Sequence, residues 1–164
     1  MVRYSIKARP TTYKGCLFRS RLEAKWAAFF DLVGIKWEYE PYDFTNWVPD
    51  FLLTLACPYN DCSFCDSSHT HTLLAEVKPF ETIAEFSGHP CTKFYGLELQ
   101  PKTIPAHSSA CLGNNPNVSY FELWWGEGGG PAELDDYVSR MGFDIRSNWN
   151  RAGALTQWSG VLGV

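Results

Sequence analysis

Apolar residues at Leu22, Trp26, Phe29, Phe30 and Val33 recur every three or four positions, the spacing of one helix face. They predict a helix over residues 20–33, with Gly34 as its C-terminal stop. Period-two alternation then takes over: residues 35–40 read as a strand ending before Pro41, and residues 47–55 as a second strand after a turn at 43–46. A cysteine-rich stretch at 56–70 interrupts before a third strand at 72–78. Pro79 suits the first position of a short helix reaching Phe86, closed by Gly88, and residues 94–99 then read as a fourth strand joined by a strand–helix–strand crossover. Residues 1–16 read as an extended arm and 100–117, rich in Pro, Ser, Asn and Gly, as a long loop. A strand at 118–125, a glycine-rich link, and helices at 131–141 and 148–158 complete the pattern. The alternation of strands and helices implies an α/β chain organised as one domain over residues 1–164, with residues 56–71 as an insertion.

Composition supports a packed core: 45% of residues are hydrophobic and 16% aromatic, which argues against disorder. No apolar run approaches the roughly 18 residues of a membrane span, and the first residues lack the apolar stretch of a secretory signal. A cytoplasmic location without membrane association is expected, and there the six cysteines favour reduced thiols or a bound metal over disulfides. The net charge of −4 looks unsuited to nucleic acid, but it is unevenly spread. Residues 1–36 carry a net +6 and the remainder −10, so a basic N-terminal third can meet phosphates.

Three charged residues change the picture from fold to chemistry. In a strand at 72–78, Glu76 and Lys78 project from the same face, and Asp50 stands at the head of the preceding apolar run. Two carboxylates suit Mg²⁺ or Mn²⁺, hard cations that accept oxygen ligands and keep room for water and phosphate. Lys78 would assist the attacking water and offset developing phosphate charge. Without a cation, repulsion between Asp50 and Glu76 should raise at least one carboxyl pKa. Glu23 is a fourth candidate; it can steady the site or close a capping box with Ser20, and the two roles are compatible. Arg19, Arg21 and Lys25 beside it are candidates for phosphate contact, or ordinary surface charge.

The insertion concentrates metal-binding chemistry of another kind. Cys57, Cys62 and Cys65, with His69 or His71 as the fourth ligand, offer the four nitrogen and sulfur donors of a structural zinc site at a hairpin tip. The same cysteine spacing occurs in plant-type iron–sulfur ligation, with Cys91, Cys111 or Cys16 as a distant fourth ligand; the nearby histidines favour zinc. His89 and His107 read as loop residues, and the tryptophans Trp124, Trp125, Trp149 and Trp158 read mainly as core, with base stacking as the alternative.

Pro49-Asp50 together with Glu76-Val77-Lys78 resembles the signature of the PD-(D/E)XK nuclease superfamily. The segment from Phe18 to Phe51, including Phe18-Arg19-Ser20-Arg21-Leu22-Glu23-Ala24 and Tyr39-Glu40-Pro41, is similar to small nucleases common in bacteriophage genomes. The resemblance spans about residues 17–80 and implies a restriction-endonuclease-like α-β-β-β-α-β core, with a mixed central sheet flanked by helices. It also implies an Mg²⁺-dependent endonuclease acting on nucleic acid, most often DNA, in a host cytoplasm if phage-encoded, with a homodimer as the form that cuts both strands. Carried over residue by residue, Asp50 and Glu76 become metal ligands, Lys78 the catalytic lysine and Glu23 an accessory acid. Two alternatives stand beside this reading: a nucleic-acid-binding module of the same fold that does not cut, and a zinc-stabilised protein-interaction domain.

Overall fold

The computed structural model describes residues 8–58, 62, 68–92, 108–121, 123–125 and 130–157. The N-terminal arm is not a simple extended segment. Strands β1 (Thr11–Tyr13) and β2 (Cys16–Phe18) pair antiparallel about Lys14 and Gly15, both with positive φ. Two such residues in succession make the tight turn whose twist matches a hairpin, and Gly15 meets that demand without a Cβ penalty.

Helix α1 (Arg21–Leu32) follows, two residues from a full match to its apolar periodicity. Ser20 is its N-cap: the hydroxyl accepts from the Glu23 amide, while the Glu23 carboxylate accepts from the Ser20 amide at 2.7 Å. That reciprocal pair satisfies two otherwise orphaned amides of the first turn. The helix buries Ala24, Trp26, Ala27, Phe29 and Phe30 against one face of a five-stranded sheet.

The sheet has the order β3 (Lys36–Tyr39), β4 (Phe51–Ala56), β5 (Thr70–Val77), β6 (Ser108–Leu112), β7 (Ser119–Phe121). All neighbours run antiparallel except β5 and β6, which are parallel, so the sheet is mixed. Edge strand β3 alternates exposed and half-buried residues, whereas β5 is buried from His71 to Val77. Leu73, Leu74 and Ala75 give it the consecutive apolar positions of a strand covered on both faces, while His71, Thr72 and Glu76 are polar residues buried within it. Odd-numbered residues of β4 and β5 (Phe51, Leu53, Leu55, Leu73, Ala75, Val77) face α1, while Leu52 and Leu74 face a smaller core with Trp47, Phe86, Cys91 and Cys111.

The segment between β5 and β6 departs from expectation. Residues 79–86 form no α-helix; the chain makes two 3-10 turns, Ile83–Phe86 and Pro90–Thr92. The segment is too short to repay helix nucleation. A second capping box, Thr82 with Glu85, closes one turn, and Gly88 at φ 85° ends it. Residues 94–99, read as a strand, lie outside the described residues. The parallel partner of β5 is Ser108–Leu112, inside the stretch read as a loop. Ser109, Ala110 and Cys111 are small enough to pack at the sheet centre, and small polar residues carry no strand periodicity. Gly113, at its end, lies so close to Val118 that a Cβ there would overlap the valine side chain.

The strand expected at 118–125 is two short strands in different sheets, β7 and β8 (Leu123–Trp125); β8 pairs with β9 (Gly130–Ala132). Helices α2 (Leu134–Arg140) and α3 (Ile145–Leu155) follow. The last helix starts earlier than its apolar residues indicate because Asp144 is its N-cap, accepting from the Ser147 amide at 2.7 Å. It packs on α1 through Trp149, 4.8 Å from Trp26 and 5.7 Å from Phe29 between ring centroids. No described helix is long and apolar enough to cross a membrane.

Candidate active site

The rim where β4 begins and β5 ends brings together Asp50, Glu76, Lys78 and Glu23. Asp50 directly precedes β4, and Pro49 disfavours helical geometry at Val48 before it. Register does the rest: Phe51 pairs with Ala75, so Asp50 falls beside the end of β5. The Val77 amide donates to Asp50 Oδ2 at 2.7 Å, tying one carboxylate to the backbone that carries the other. Asp50 and Glu76 are 3% and 5% exposed, and Glu23 is 6% exposed.

Each of the two strand-end carboxylates has one oxygen held by a neutral N–H donor and the other turned towards cationic side chains. Asp50 Oδ2 is held by the Val77 amide, and Oδ1 lies 3.6 Å from the Arg19 guanidinium. Glu76 Oε2 accepts from the Trp47 indole N–H at 2.6 Å, and Oε1 lies 3.1 Å from Lys78 Nζ. A neutral donor orients an oxygen without neutralising it, so the charge stays available at the second oxygen. Arg19 also pairs with Glu40, and its amide donates to the Tyr39 hydroxyl at 3.2 Å.

Burial dominates the electrostatics. It pushes the Asp50 carboxyl up to about 8; the charges of Glu76 and Glu23 and a hydrogen bond to Glu23 add to the rise, which the Val77 amide only partly offsets. The expectation of a raised carboxyl pKa in this cluster is met at Asp50. Glu23 closes the α1 capping box with Oε2, and it also stands close enough to Asp50 to raise that carboxyl's pKa. Asp50 and Glu76 carry oxygen donors of the kind a hard divalent cation favours.

Two neighbours of Glu76 escaped sequence reasoning. Trp47 is one, since the sequence shows a tryptophan in a turn but not the acceptor of its N–H. His89, read as a loop residue, is the other: its Nε2 stands 3.7 Å from Glu76 Oε1 and its ring meets Trp47 edge-on. Burial lowers its pKa, the Glu76 charge opposes that, and Lys78 reinforces it.

The basic residues at and just before the start of α1 divide. Arg19 is at the rim and about two-thirds exposed. Arg21 turns away, donating to the carbonyls of Thr156 and Gly153 at 3.2 and 3.3 Å, where it closes the C-terminal end of α3. Lys25 lies over the Trp149 ring, 4.2 Å from its centroid, and burial there lowers its pKa, helped by the Arg21 charge.

A second cluster sits at the other end of β5. Cys57, Cys62 and His71 bring one ligand atom each within 4.8 Å of one another, a group able to hold a metal ion. Cys62 Sγ and His71 Nε2 are 3.7 Å apart, close to the ~3.6 Å sulfur–nitrogen edge of a zinc tetrahedron built from ordinary bond lengths. His71 is fully buried and belongs to the cluster. His69 is exposed, adopts φ 59° in the turn, and offers its carbonyl to the Cys57 amide at 3.0 Å. Cys65 lies outside the described residues. Of the distant cysteines considered for iron–sulfur ligation, Cys91 and Cys111 lie against each other, Sγ to Sγ 3.5 Å, and Cys16 is on β2. Glu76 lies five residues along β5 from His71, about 17 Å, so the two clusters are distinct.

No protein-family model, no curated protein and no solved structure matches this chain, so its relationships rest on the residues and geometry described above.

Proposed function

We propose that this chain is a metal-dependent nuclease that hydrolyses phosphodiester bonds of nucleic acid, most readily DNA, in the manner of the PD-(D/E)XK superfamily. The observation that carries the reading is the pairing of Asp50 and Glu76, each buried and each with one oxygen tethered by a neutral N–H and the other facing a cationic group. Their outward oxygens, with Glu23 behind Asp50, are the groups that would hold Mg²⁺ or Mn²⁺. The cation, when bound, supplies Lewis acidity and lowers the pKa of the attacking water. Lys78, about 40% exposed on the same face as Glu76, hydrogen-bonds that water and meets the charge gathering on phosphate oxygens. Arg19 at the opposite lip engages the backbone phosphate with a planar pair of donors. The topology α1-β3-β4-β5 followed by parallel β6 agrees with the restriction-endonuclease-like arrangement, with 3-10 turns where the crossover helix would stand.

The Cys57, Cys62 and His71 group is read as a structural zinc site, for which Cys65 is the sequence's candidate fourth ligand. Cleavage of duplex, single-stranded and branched DNA and of RNA, with Mg²⁺, Mn²⁺ or EDTA, tests the nuclease reading. Lys78→Met should abolish cleavage by at least about 100-fold while leaving binding intact. A wild-type protein that binds nucleic acid at low salt but cuts none of these substrates would be a non-cleaving module, and one that binds none would refute a nucleic-acid role altogether.

A further inference from the structure

We propose that His89 is a phosphate-binding residue of this site, presenting a fixed Nε2–H to an oxygen of the nucleic-acid backbone at the bond being cleaved. The inference rests on the nuclease reading and adds to it a residue that the signature motifs do not contain.

The argument is one of hydrogen-bond accounting. The Cys91 amide lies 3.1 Å from His89 Nδ1 and points its hydrogen at it. A backbone N–H can only donate, so Nδ1 must offer a lone pair, and the hydrogen of the neutral ring is on Nε2. The ring has little freedom to reverse that choice. Its backbone is held on both sides, by the His89 amide to the Phe86 carbonyl at 2.9 Å and by Thr92, whose amide and hydroxyl both reach the His89 carbonyl. Trp47, the residue that tethers Glu76, packs edge-on against the ring.

The direction of the hydrogen gives it a use. Nε2 stands 3.7 Å from Glu76 Oε1, too far for a hydrogen bond but in front of the oxygen that Lys78 reaches at 3.1 Å. The side chain is one-quarter exposed and that of Lys78 40%, so the proposed donor stands on a side of the site that solvent reaches. An imidazole in this tautomer has no lone pair at Nε2 and cannot serve there as a metal ligand. What remains is donation, and the acceptor that enters a site built from Asp50, Glu76 and Lys78 is a phosphate oxygen. His89 and Lys78 would then supply neighbouring donors, one neutral and one charged.

Three variants and one spectrum test this. Glutamine places an amide N–H near the position of Nε2, whereas asparagine reaches only the position of Nδ1. Under single-turnover conditions, His89→Ala and His89→Asn should lose on the order of 100-fold in the cleavage rate with little change in DNA affinity, and His89→Gln should recover to within about tenfold of wild type. The Mg²⁺ concentration for half-maximal rate should be the same in all four proteins. Long-range ¹H–¹⁵N correlation spectra of the wild type at pH 7.5, without metal or substrate, should show a protonated Nε2 and a bare Nδ1. A bare Nε2 overturns the proposal without any activity measurement. So does an unaltered rate in His89→Ala, a raised Mg²⁺ requirement (which would make His89 a ligand), or a folded His89→Gln as slow as His89→Ala. A wild type that cleaves no substrate refutes the nuclease reading itself and the donor role with it, and is thereby distinguishable from failure of the donor role alone.

Discussion

Replacing Asp50 with asparagine should make this protein more stable in alkaline solution while abolishing the nuclease activity proposed for it. The Asp50 carboxyl is shifted from its ordinary 3.8 up to about 8, chiefly by burial and then by Glu76. Because the folded pKa lies above the unfolded one, the folded protein keeps a proton between about pH 4 and pH 8 that the unfolded chain has released. Stability contributed by the protonated form is therefore present in mild acid and declines as pH rises through that window. At ~1.4 kcal/mol per pK unit, the cost reached by pH 8 is on the order of 5 kcal/mol as an upper figure. Water entry and relaxation around a buried charge reduce it, leaving a difference of at least about 2 kcal/mol. Asparagine keeps the shape and an oxygen acceptor for the Val77 amide, yet carries no charge. Urea unfolding of both proteins in EDTA, at pH 5 and pH 8, isolates the effect, since the other titrating groups are common to both. At pH 5 the two should agree within about 1 kcal/mol; at pH 8 the variant should lead by at least about 2 kcal/mol, or roughly 5 °C or more in melting temperature. Adding Mg²⁺ at pH 8 should raise the wild type alone. A gap between the proteins that is identical at the two pH values would show that Asp50 is ionised throughout and refute the reasoning.

Three further outcomes follow from named contacts. Trp47→Phe retains the ring but removes the N–H held by Glu76 Oε2, so calorimetric affinity for Mn²⁺ should fall 10- to 100-fold with little loss of fold. His71→Ala should reduce zinc, measured by plasma mass spectrometry, from about one ion per chain to a small fraction, and lower the melting temperature; unchanged metal content would place the ion elsewhere. Arg21→Ala should destabilise by about 1–2 kcal/mol in urea, through lost bonds to the Thr156 and Gly153 carbonyls, yet leave DNA affinity within about twofold.

What could be read from the residues was local or strictly periodic. The capping box at Ser20 and Glu23, the helical spacing of Trp26, Phe29 and Phe30, and the alternation around Glu76 all express themselves within a few positions, and their elements formed nearly where expected. The meeting of Asp50 with Glu76 was legible only as a motif; the geometry comes from β4–β5 register, a property of two segments together. Strand β6 was hidden because Ser109, Ala110 and Cys111 have small side chains that fit a sheet centre but carry no hydrophobic signal. The helix proposed at 79–86 shows the opposite error, a start and a stop with too few residues between them to hold a helix. Arg21 and Lys25 look like free cations in sequence, yet α3, more than one hundred residues later, engages both. Trp47 and His89 were missed for a related reason: a side-chain N–H advertises a need for an acceptor but not which acceptor will be near.

The long connection between β4 and β5 has a mechanical consequence for the far end of the hairpin. Alignment of two strands is ordinarily set by a tight turn, and thirteen residues separate Ala56 from Thr70, too many to act as a gauge. A slip of β5 by one residue would present Lys78 and Glu76 to the helix side and bring Val77 to the place of the acid. An ion clasped by Cys57, Cys62 and His71 would act like a peg through both strands at their shared tip, choosing one alignment out of several. Chemistry at one end of β5 would thus depend on a metal some 17 Å away that never meets the substrate.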